Sequence, residues 1–332
     1  MSNVPFLEIK DLYVEYTSNK QVIHAVNGAS LTLGKGQTLG MVGETGAGKT
    51  TIAKSILRLL PDPPAKVKGG EILLDGEDIL KMPTKSLLNI RGDKIAMIFQ
   101  DPMTALNPVM TVGGQITESI GLHNKGMSLA DQKLHAVEML EMGGIHGGRF
   151  NDYPHQFSGG MKQRVVIAMA LACNPVVLLA DEPTTALDVT IQAQILDLLR
   201  QLKDKINSSI MFITHDLGVI AEMADYVVVM YAGRVVEKGI AREVFLDPRH
   251  PYTIGLMESK PVINKTVERL YSIPGSVPNP VDMPDYCYFR DRCEHCVDRC
   301  QGKYPPEFHV SPTHIVSCWQ YWNEKEGAQH HD

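Results

Sequence analysis

GETGAGKT, Gly43 to Thr50, follows the apolar run TLGMV and opens a helical pattern that begins at Lys49. In that context the spacing G-x-x-x-x-G-K-[ST] reads as a phosphate loop. Its glycines let successive backbone N–H groups turn toward a triphosphate at a helix N-terminus, where the dipole favours anions. Lys49 is placed to reach the β- and γ-phosphates, and the Thr50 hydroxyl to ligate Mg2+. Gly43, Glu44, Thr45, Gly46, Ala47, Gly48 and Thr51 complete the expected contact with ATP. A glycine-rich turn that only joins strand to helix is the plainer alternative, and correct flanks on both sides argue against it.

Working outward, short β-rich segments (FLEI, HAVNGASLTL, TLGMV) lead into the loop, and the helix after it is expected to run from Lys49 to Leu60, stopping at PDPP. ILLDG and KIAMIF read as strands. From Asp101 to about Tyr153 helical signals dominate, as in DQKLHAVEMLEMGGI, which reads as a helical insertion. VVLLAD, a helix from about Thr190 to Ile206, SIMFIT, a short helix and DYVVVMY then alternate. Such alternation predicts an α/β fold with a largely parallel sheet and helices on both faces. A boundary falls near Asp247-Pro248. Residues 1–247 form the expected nucleotide-binding domain, with a helical subdomain at about 101–165, and 248–332 a loop-rich cysteine module.

VVLLADEP, Val176 to Pro183, supplies the second half of the expected site. An apolar run ending in two carboxylates suits a buried strand that delivers them to the C-terminal edge of the sheet, where open α/β folds bind ligands. Asp181 can hold Mg2+ through water, and Glu182 is placed to orient or deprotonate the attacking water.

The composition fits a globular chain of 332 residues, 44% hydrophobic and 21% charged. A net charge of −6 argues against a general nucleic-acid binder, so none is expected as a partner. The N-terminus lacks the layout of a signal peptide, and no run approaches the ~18 apolar residues that span a bilayer. The longest candidate, VVIAMALACNPVVLLA, is broken at Asn174-Pro175.

FSGGMKQR, Phe157 to Arg164, resembles the signature motif of the nucleotide-binding subunits of ABC transporters, lying between phosphate loop and acidic strand as it does in that family. Apart from the resemblance, Ser158, Gly159 and Gly160 precede a helix and would form a second anion site. One γ-phosphate does not need two such sites in one polypeptide. The resemblance implies a head-to-tail dimer in which each signature closes the partner's ATP. Gln100 in IFQDP resembles the Q-loop glutamine, which contacts Mg2+ or water and senses the membrane domain. Leu187 and Asp188 in TTALD resemble the D-loop, His215 in FITHD the switch histidine that contacts the γ-phosphate, and Tyr16 the aromatic that stacks on adenine. Met161 departs from the glutamine common in the family, while the following KQR is intact. The resemblance covers about residues 6–245. It implies an ATPase with a parallel-sheet core, an N-terminal antiparallel β subdomain and a helical subdomain.

HPYTIGLM (His250 to Met257) and IPGSVPNP (Ile273 to Pro280) look like the C-terminal extension of dipeptide, oligopeptide and nickel importers, and FQDPMTALNPVMTVG also resembles that subfamily. Arg91-Gly92 leans toward the D-type subunit, which pairs with a non-identical F-type ATPase. The implied partners are that subunit, two transmembrane permeases and, indirectly, an extracytoplasmic peptide-binding protein. The implied location is the cytoplasmic face of the membrane. Nickel or another small solute is the alternative cargo. A soluble ABC-type ATPase, with the tail as an iron–sulfur regulatory or binding module, is the alternative class; the single cassette and acidic tail count against it.

Five of the six cysteines fall in the tail, as Cys287-x5-Cys293-x2-Cys296-x3-Cys300 and then Cys318. Subfamily tails resemble C-x-F-x-x-R-C with two later cysteines, which lands on Cys287, Cys293, Cys300 and Cys318 and leaves Cys296 extra. Four thiolates in a loop-rich module suit a [4Fe–4S] cluster, which the resemblance favours, or tetrahedral zinc. Zinc gains from the Cys293-x2-Cys296 pair, with His295, His309 and His314 nearby. Free thiols or disulfides are the third alternative, and cytosolic redox disfavours disulfides. Cys173, alone after the signature, is expected in a helix as a buried core residue.

Overall fold

The structure, a computed structural model, describes residues 5–185, 187–259, 271–281 and 283–322. In chain order β1 (Pro5–Ser18), β2 (Gln21–Gly34) and β3 (Thr38–Val42) lead to α1 (Lys49–Ile56). β4 (Ala65–Leu74), β5 (Glu77–Asp78), α2 (Thr84–Leu88) and β6 (Ile95–Ile98) follow. Four helices come next: α3 (Pro102–Ala105), α4 (Val112–His123), α5 (Leu129–Met142) and α6 (Gly159–Leu171). Then β7 (Val177–Asp181), α7 (Val189–Ile206), β8 (Ser209–Ile213), α8 (Leu217–Met223) and β9 (Tyr226–Tyr231) alternate. β10 (Arg234–Ile240), α9 (Ala241–Leu246), α10 (Pro251–Glu258), β11 (Phe308–His309) and β12 (Ile315–Val316) complete the regular elements.

Contacts divide the chain into two compact units, one holding residues 33–38 and 74–214, the other 8–32, 39–73 and the chain from 215 onward. In the first, β6, β7 and β8 pair in parallel, with Ile95 opposite Val177 and Val177 opposite Ser209. All five residues of β7 are buried, as are all five of β8. That pattern explains their continuous apolar sequence: helices cover a parallel strand on both faces. α7 buries Ile195, Leu196, Leu198, Leu199 and Leu202, one stripe at helical spacing. The Asp188 side chain caps its start and Asn207, in the left-handed region, ends it.

In the second unit β1 and β2 form a hairpin closed by Asn19 (φ 50°) and Lys20 (φ 65°), the paired positive angles that match the twist of two-residue turns. β4 lies beside β1. β3 pairs in parallel with β9, Leu39 opposite Tyr226, and β9 turns back antiparallel into β10. β12 then adds to β10, with Glu237 opposite Val316, so residues beyond 248 pack in the same unit as the phosphate loop. Among the described residues no helix is long and apolar enough to cross a membrane.

Three local expectations change. The helix after the phosphate loop ends at Ile56, not Leu60, because Arg58 takes a left-handed angle (φ 48°) before the prolines arrive. The strand read as ILLDG begins at Ala65, taking in KVKGG, whose burial alternates too weakly to mark it. Cys173 lies just past α6 and is half-buried, its thiol donating to the Ser119 carbonyl at 3.7 Å. Burial pushes that thiol up to about 11.

Candidate functional site

The phosphate loop turns on three glycines with positive φ: Gly43 (150°), Gly46 (82°) and Gly48 (95°). Only two are crowded as well. A Cβ on Gly43 would collide with the Met230 carbonyl, and one on Gly48 would sit 2.5 Å from the Ala25 carbonyl. Gly46 and Thr45 are exposed, so the crest of the loop is open. Lys49 is buried and donates to the Gly43 carbonyl at 2.7 Å and the Glu44 carbonyl at 3.0 Å. The Tyr16 hydroxyl lies 3.4 Å from Thr51 Oγ1, which brings the predicted aromatic to the first turn of α1. Ala47 is buried and Thr50 half-buried beside it.

Glu44 is held more firmly than its neighbours. Its N–H donates to the Tyr252 hydroxyl at 2.8 Å. Its carboxylate accepts from both terminal nitrogens of Arg292, at 2.8 and 3.1 Å. Burial works against the Arg292 charge, but the Glu44 carboxylate and the Tyr231 hydroxyl outweigh it and hold the guanidinium above its ordinary range. Neither Arg292 nor this use of Tyr252 was foreseen. Within HPY itself, His250 Nδ1 caps the start of α10 by accepting the Tyr252 N–H at 3.0 Å. His215, in the same unit, is exposed immediately before Asp216, the cap of α8.

In the other unit β7 ends in Asp181, buried to 3% exposure. Glu182 takes a left-handed φ of 48°, a strained angle for a residue with a Cβ, with its N–H held by the Ile213 carbonyl at 2.8 Å. Its carboxylate accepts from Gln100 at 2.9 Å and from the Thr185 hydroxyl at 2.9 Å. Two residues chosen 82 positions apart in sequence are thus hydrogen-bonded.

Ser158 caps α6 by accepting from the Met161 N–H at 3.4 Å, and Ser158 and Gly159 are exposed. A Cβ on Gly160 would press on the Ile191 side chain at 2.6 Å, so α6 needs glycine there to lie against the start of α7. Asp188 is exposed and engaged as the cap of α7. The departure at Met161 has a local partner: Arg149 lies over the Phe157 ring and donates to Met161 Sδ at 3.5 Å.

Of the tail cysteines, Cys287, Cys300 and Cys318 are buried, Cys293 is half-buried and Cys296 is exposed. Burial pushes the Cys287 thiol up to about 12, with Cys300, Cys318 and Cys293 each adding a repulsive contribution. Cys318 rises to about 11, by burial and by Cys293 and Cys300. The four thiols read from the spacing therefore feel one another's charge. They do not form a closed ligand array: among the described residues no three His, Cys, Asp or Glu side chains are set to hold a metal ion.

A parallel-sheet fold with this loop defines a P-loop nucleotide-binding cassette. Residues 26–185 match the ABC transporter family, and residues 236–300 match the oligopeptide/dipeptide transporter C-terminal region. The oligopeptide transport ATP-binding protein OppD of Bacillus subtilis (strain 168) is 51% identical over 316 residues, covering 94% of this chain and 88% of that one. The dipeptide transport ATP-binding protein DppD of Lactococcus lactis subsp. cremoris (strain MG1363) is 47% identical over 321 residues, covering 96% and 92%. Among solved structures, the ATP-binding cassette MJ0796, dimeric in a post-hydrolysis state with ADP and Pi, superposes with a TM-score of 0.64 at 30% identity, covering 71% of this chain and 99% of that one. The chain belongs to the family of ATP-binding subunits of ABC-type oligopeptide and dipeptide transporters.

Proposed function

We propose that this chain is the ATP-hydrolysing subunit that powers import of di- or oligopeptides across the cytoplasmic membrane, as a D-type subunit closing head-to-tail on an F-type partner. One observation carries the reading: a single chain joins an open-crested phosphate loop to residues 236–300 that match the peptide-transporter C-terminal region. The cassette is assigned to residues 1–247, with a helical subdomain at about 101–165, and the extension to 248–332.

ATP phosphates are assigned to the loop N–H groups of Gly43 to Thr51 and to Lys49, and adenine to Tyr16. Thr50, Gln100 and Asp181 offer a hydroxyl, an amide carbonyl and a carboxylate, hard oxygen donors that fit Mg2+. When bound, that ion would neutralise charge on the β- and γ-phosphates. Glu182 orients and deprotonates the attacking water, with Gln100 holding its carboxylate. His215 contacts the γ-phosphate. Ser158, Gly159, Gly160 and Asp188 face the partner's nucleotide. Two permeases and a peptide-binding protein complete the assembly, with the chain peripheral on the cytoplasmic face.

For the tail we propose a [4Fe–4S] cluster on Cys287, Cys293, Cys300 and Cys318. The all-cysteine set supports it over zinc; the charge effects do not distinguish the two, since Cys296 interacts with Cys300 and Cys293 as well. Membrane fractionation tests the main reading. The chain should be recovered with its permeases after a salt wash; recovery wholly in the soluble fraction, with permeases present, contradicts it.

A further inference from the structure

Glu44 occupies the first variable position of the phosphate loop, and the segment around the cysteines reaches back 248 positions to grip it. Tyr252 takes the Glu44 N–H, and Arg292 takes its carboxylate. The Arg292 fork meets the Glu44 carboxylate at both terminal nitrogens, its Nε donates to the Pro274 carbonyl at 2.8 Å, and NH1 also reaches the Tyr231 hydroxyl at 3.3 Å. The side chain is 6% exposed, beside the rings of Tyr231 and Phe289. Gly275, with φ 71°, passes so close that a Cβ there would sit 3.2 Å from Arg292 Cγ. The guanidinium has nowhere else to go.

An ion pair with one partner buried is a poor way to gain stability, since desolvation of the buried charge offsets the attraction. It is a good way to fix one group in one place, because a planar fork demands a single carboxylate orientation. Glu44 is held on each side of its Cα. Lys49 takes its carbonyl, Tyr252 its N–H and Arg292 its carboxylate. The carboxylate also brings a negative charge to a loop assigned to bind a polyanion. Left uncompensated, it would oppose the incoming triphosphate.

We infer that Arg292 is a positioning residue for nucleotide binding: by pairing with Glu44 it neutralises and fixes the first turn of the phosphate loop, making ATP affinity dependent on the cysteine-rich segment. The inference rests on the ATP-binding reading above. Arg292 sits in a single helical turn, Arg290–Arg292, directly before Cys293. Any change that re-forms the backbone at Cys293 therefore moves the residue that clamps Glu44.

The test is calorimetric titration of MgATP into the full-length chain, with thermal unfolding recorded for each variant. Arg292→Gln is expected to weaken binding about tenfold, the scale of one lost charge-assisted pair. Adding Glu44→Gln to that variant is expected to recover binding to within about threefold of the parent, since the offending charge is gone. A merely structural role would show in the unfolding curves and leave the affinity of the folded chain unchanged. Unchanged affinity in Arg292→Gln, or a double variant as weak as the single, overturns the inference. Should Arg292→Gln fail to unfold cooperatively, Arg292→Lys decides: it keeps the charge and loses the fork, so intermediate affinity supports the inference and parental affinity overturns it. A parent chain that does not bind MgATP overturns the underlying reading and the inference with it.

Discussion

Gln100 donates its side-chain amide to the Glu182 carboxylate at 2.9 Å, and the Thr185 hydroxyl donates to the same oxygen. The carboxylate is therefore aimed before any substrate arrives. Its backbone is in a left-handed conformation, with its N–H held by the adjoining strand at Ile213, which is the sort of strain that accumulates where geometry matters to chemistry. Glu182→Gln should keep MgATP binding while lowering turnover about 10²–10⁴-fold, the usual worth of a positioned base. Steady-state hydrolysis in the assembled transporter checks it. Near-parental turnover would remove Glu182 from that role.

Gln100→Ala tests the contact from the other side. The carboxylate would keep its Thr185 partner but lose the Gln100 restraint, so turnover should fall less than in Glu182→Gln, by about tenfold. The comparison needs only the two rates side by side.

Gly48 offers a prediction on the loop itself. With φ at 95° and the Ala25 carbonyl 2.5 Å from where a Cβ would stand, alanine there is both strained and crowded. Gly48→Ala should cost roughly 1–3 kcal/mol of stability and abolish measurable ATP affinity. Gly46→Ala meets no atom within 4 Å and should cost only the strain of its angle. Thermal unfolding of the two variants distinguishes crowding from backbone strain.

His250 makes the fold sensitive to acid. It is buried at 2% exposure, caps α10 through Nδ1, and its N–H donates to Glu237, which also takes a hydrogen bond from His314. Burial depresses its pKa from 6.5 to about 4, against the opposing pull of Glu237. As pH falls below 6.5 the unfolded chain accepts a proton that the folded chain refuses. The stabilisation is therefore complete above 6.5 and is lost on the way down to about 4, roughly 3 kcal/mol in all. His250→Asn keeps a cap and removes the titration. Melting temperature against pH should flatten over that window in the variant.

In the tail, Cys287→Ser and Cys318→Ser should abolish bound iron and sulfide measured per chain after anaerobic purification, while Cys296→Ser should leave both unchanged. Zinc without sulfide, lost in Cys296→Ser, would favour the other metal.

What the sequence made legible was whatever sits within a few residues of itself. GETGAGKT is a contiguous device, so Lys49 and its glycines were readable from spacing, and the buried run of β7 announced Asp181 and Glu182 through its uniform apolarity. Gln100 needed the family resemblance, since nothing local distinguishes it from a surface glutamine. Arg292 and Tyr252 stayed hidden for a different reason. Their partner lies more than 200 positions away, neither belongs to a periodic pattern, and an arginine in the charged run Arg290-Asp291-Arg292 looks like a solvated face. Element ends failed where a single backbone angle decided them, as at Arg58. The cysteine spacing located a cluster of interacting thiols but could not say how tightly they close.

The most direct measurement is ATP hydrolysis by proteoliposomes carrying this chain with its permeases and partner ATPase, with and without peptide-loaded binding protein. The account predicts hydrolysis that rises with the loaded binding protein, accompanies peptide accumulation and is lost in Glu182→Gln. Hydrolysis indifferent to peptide, with no accumulation, would contradict it.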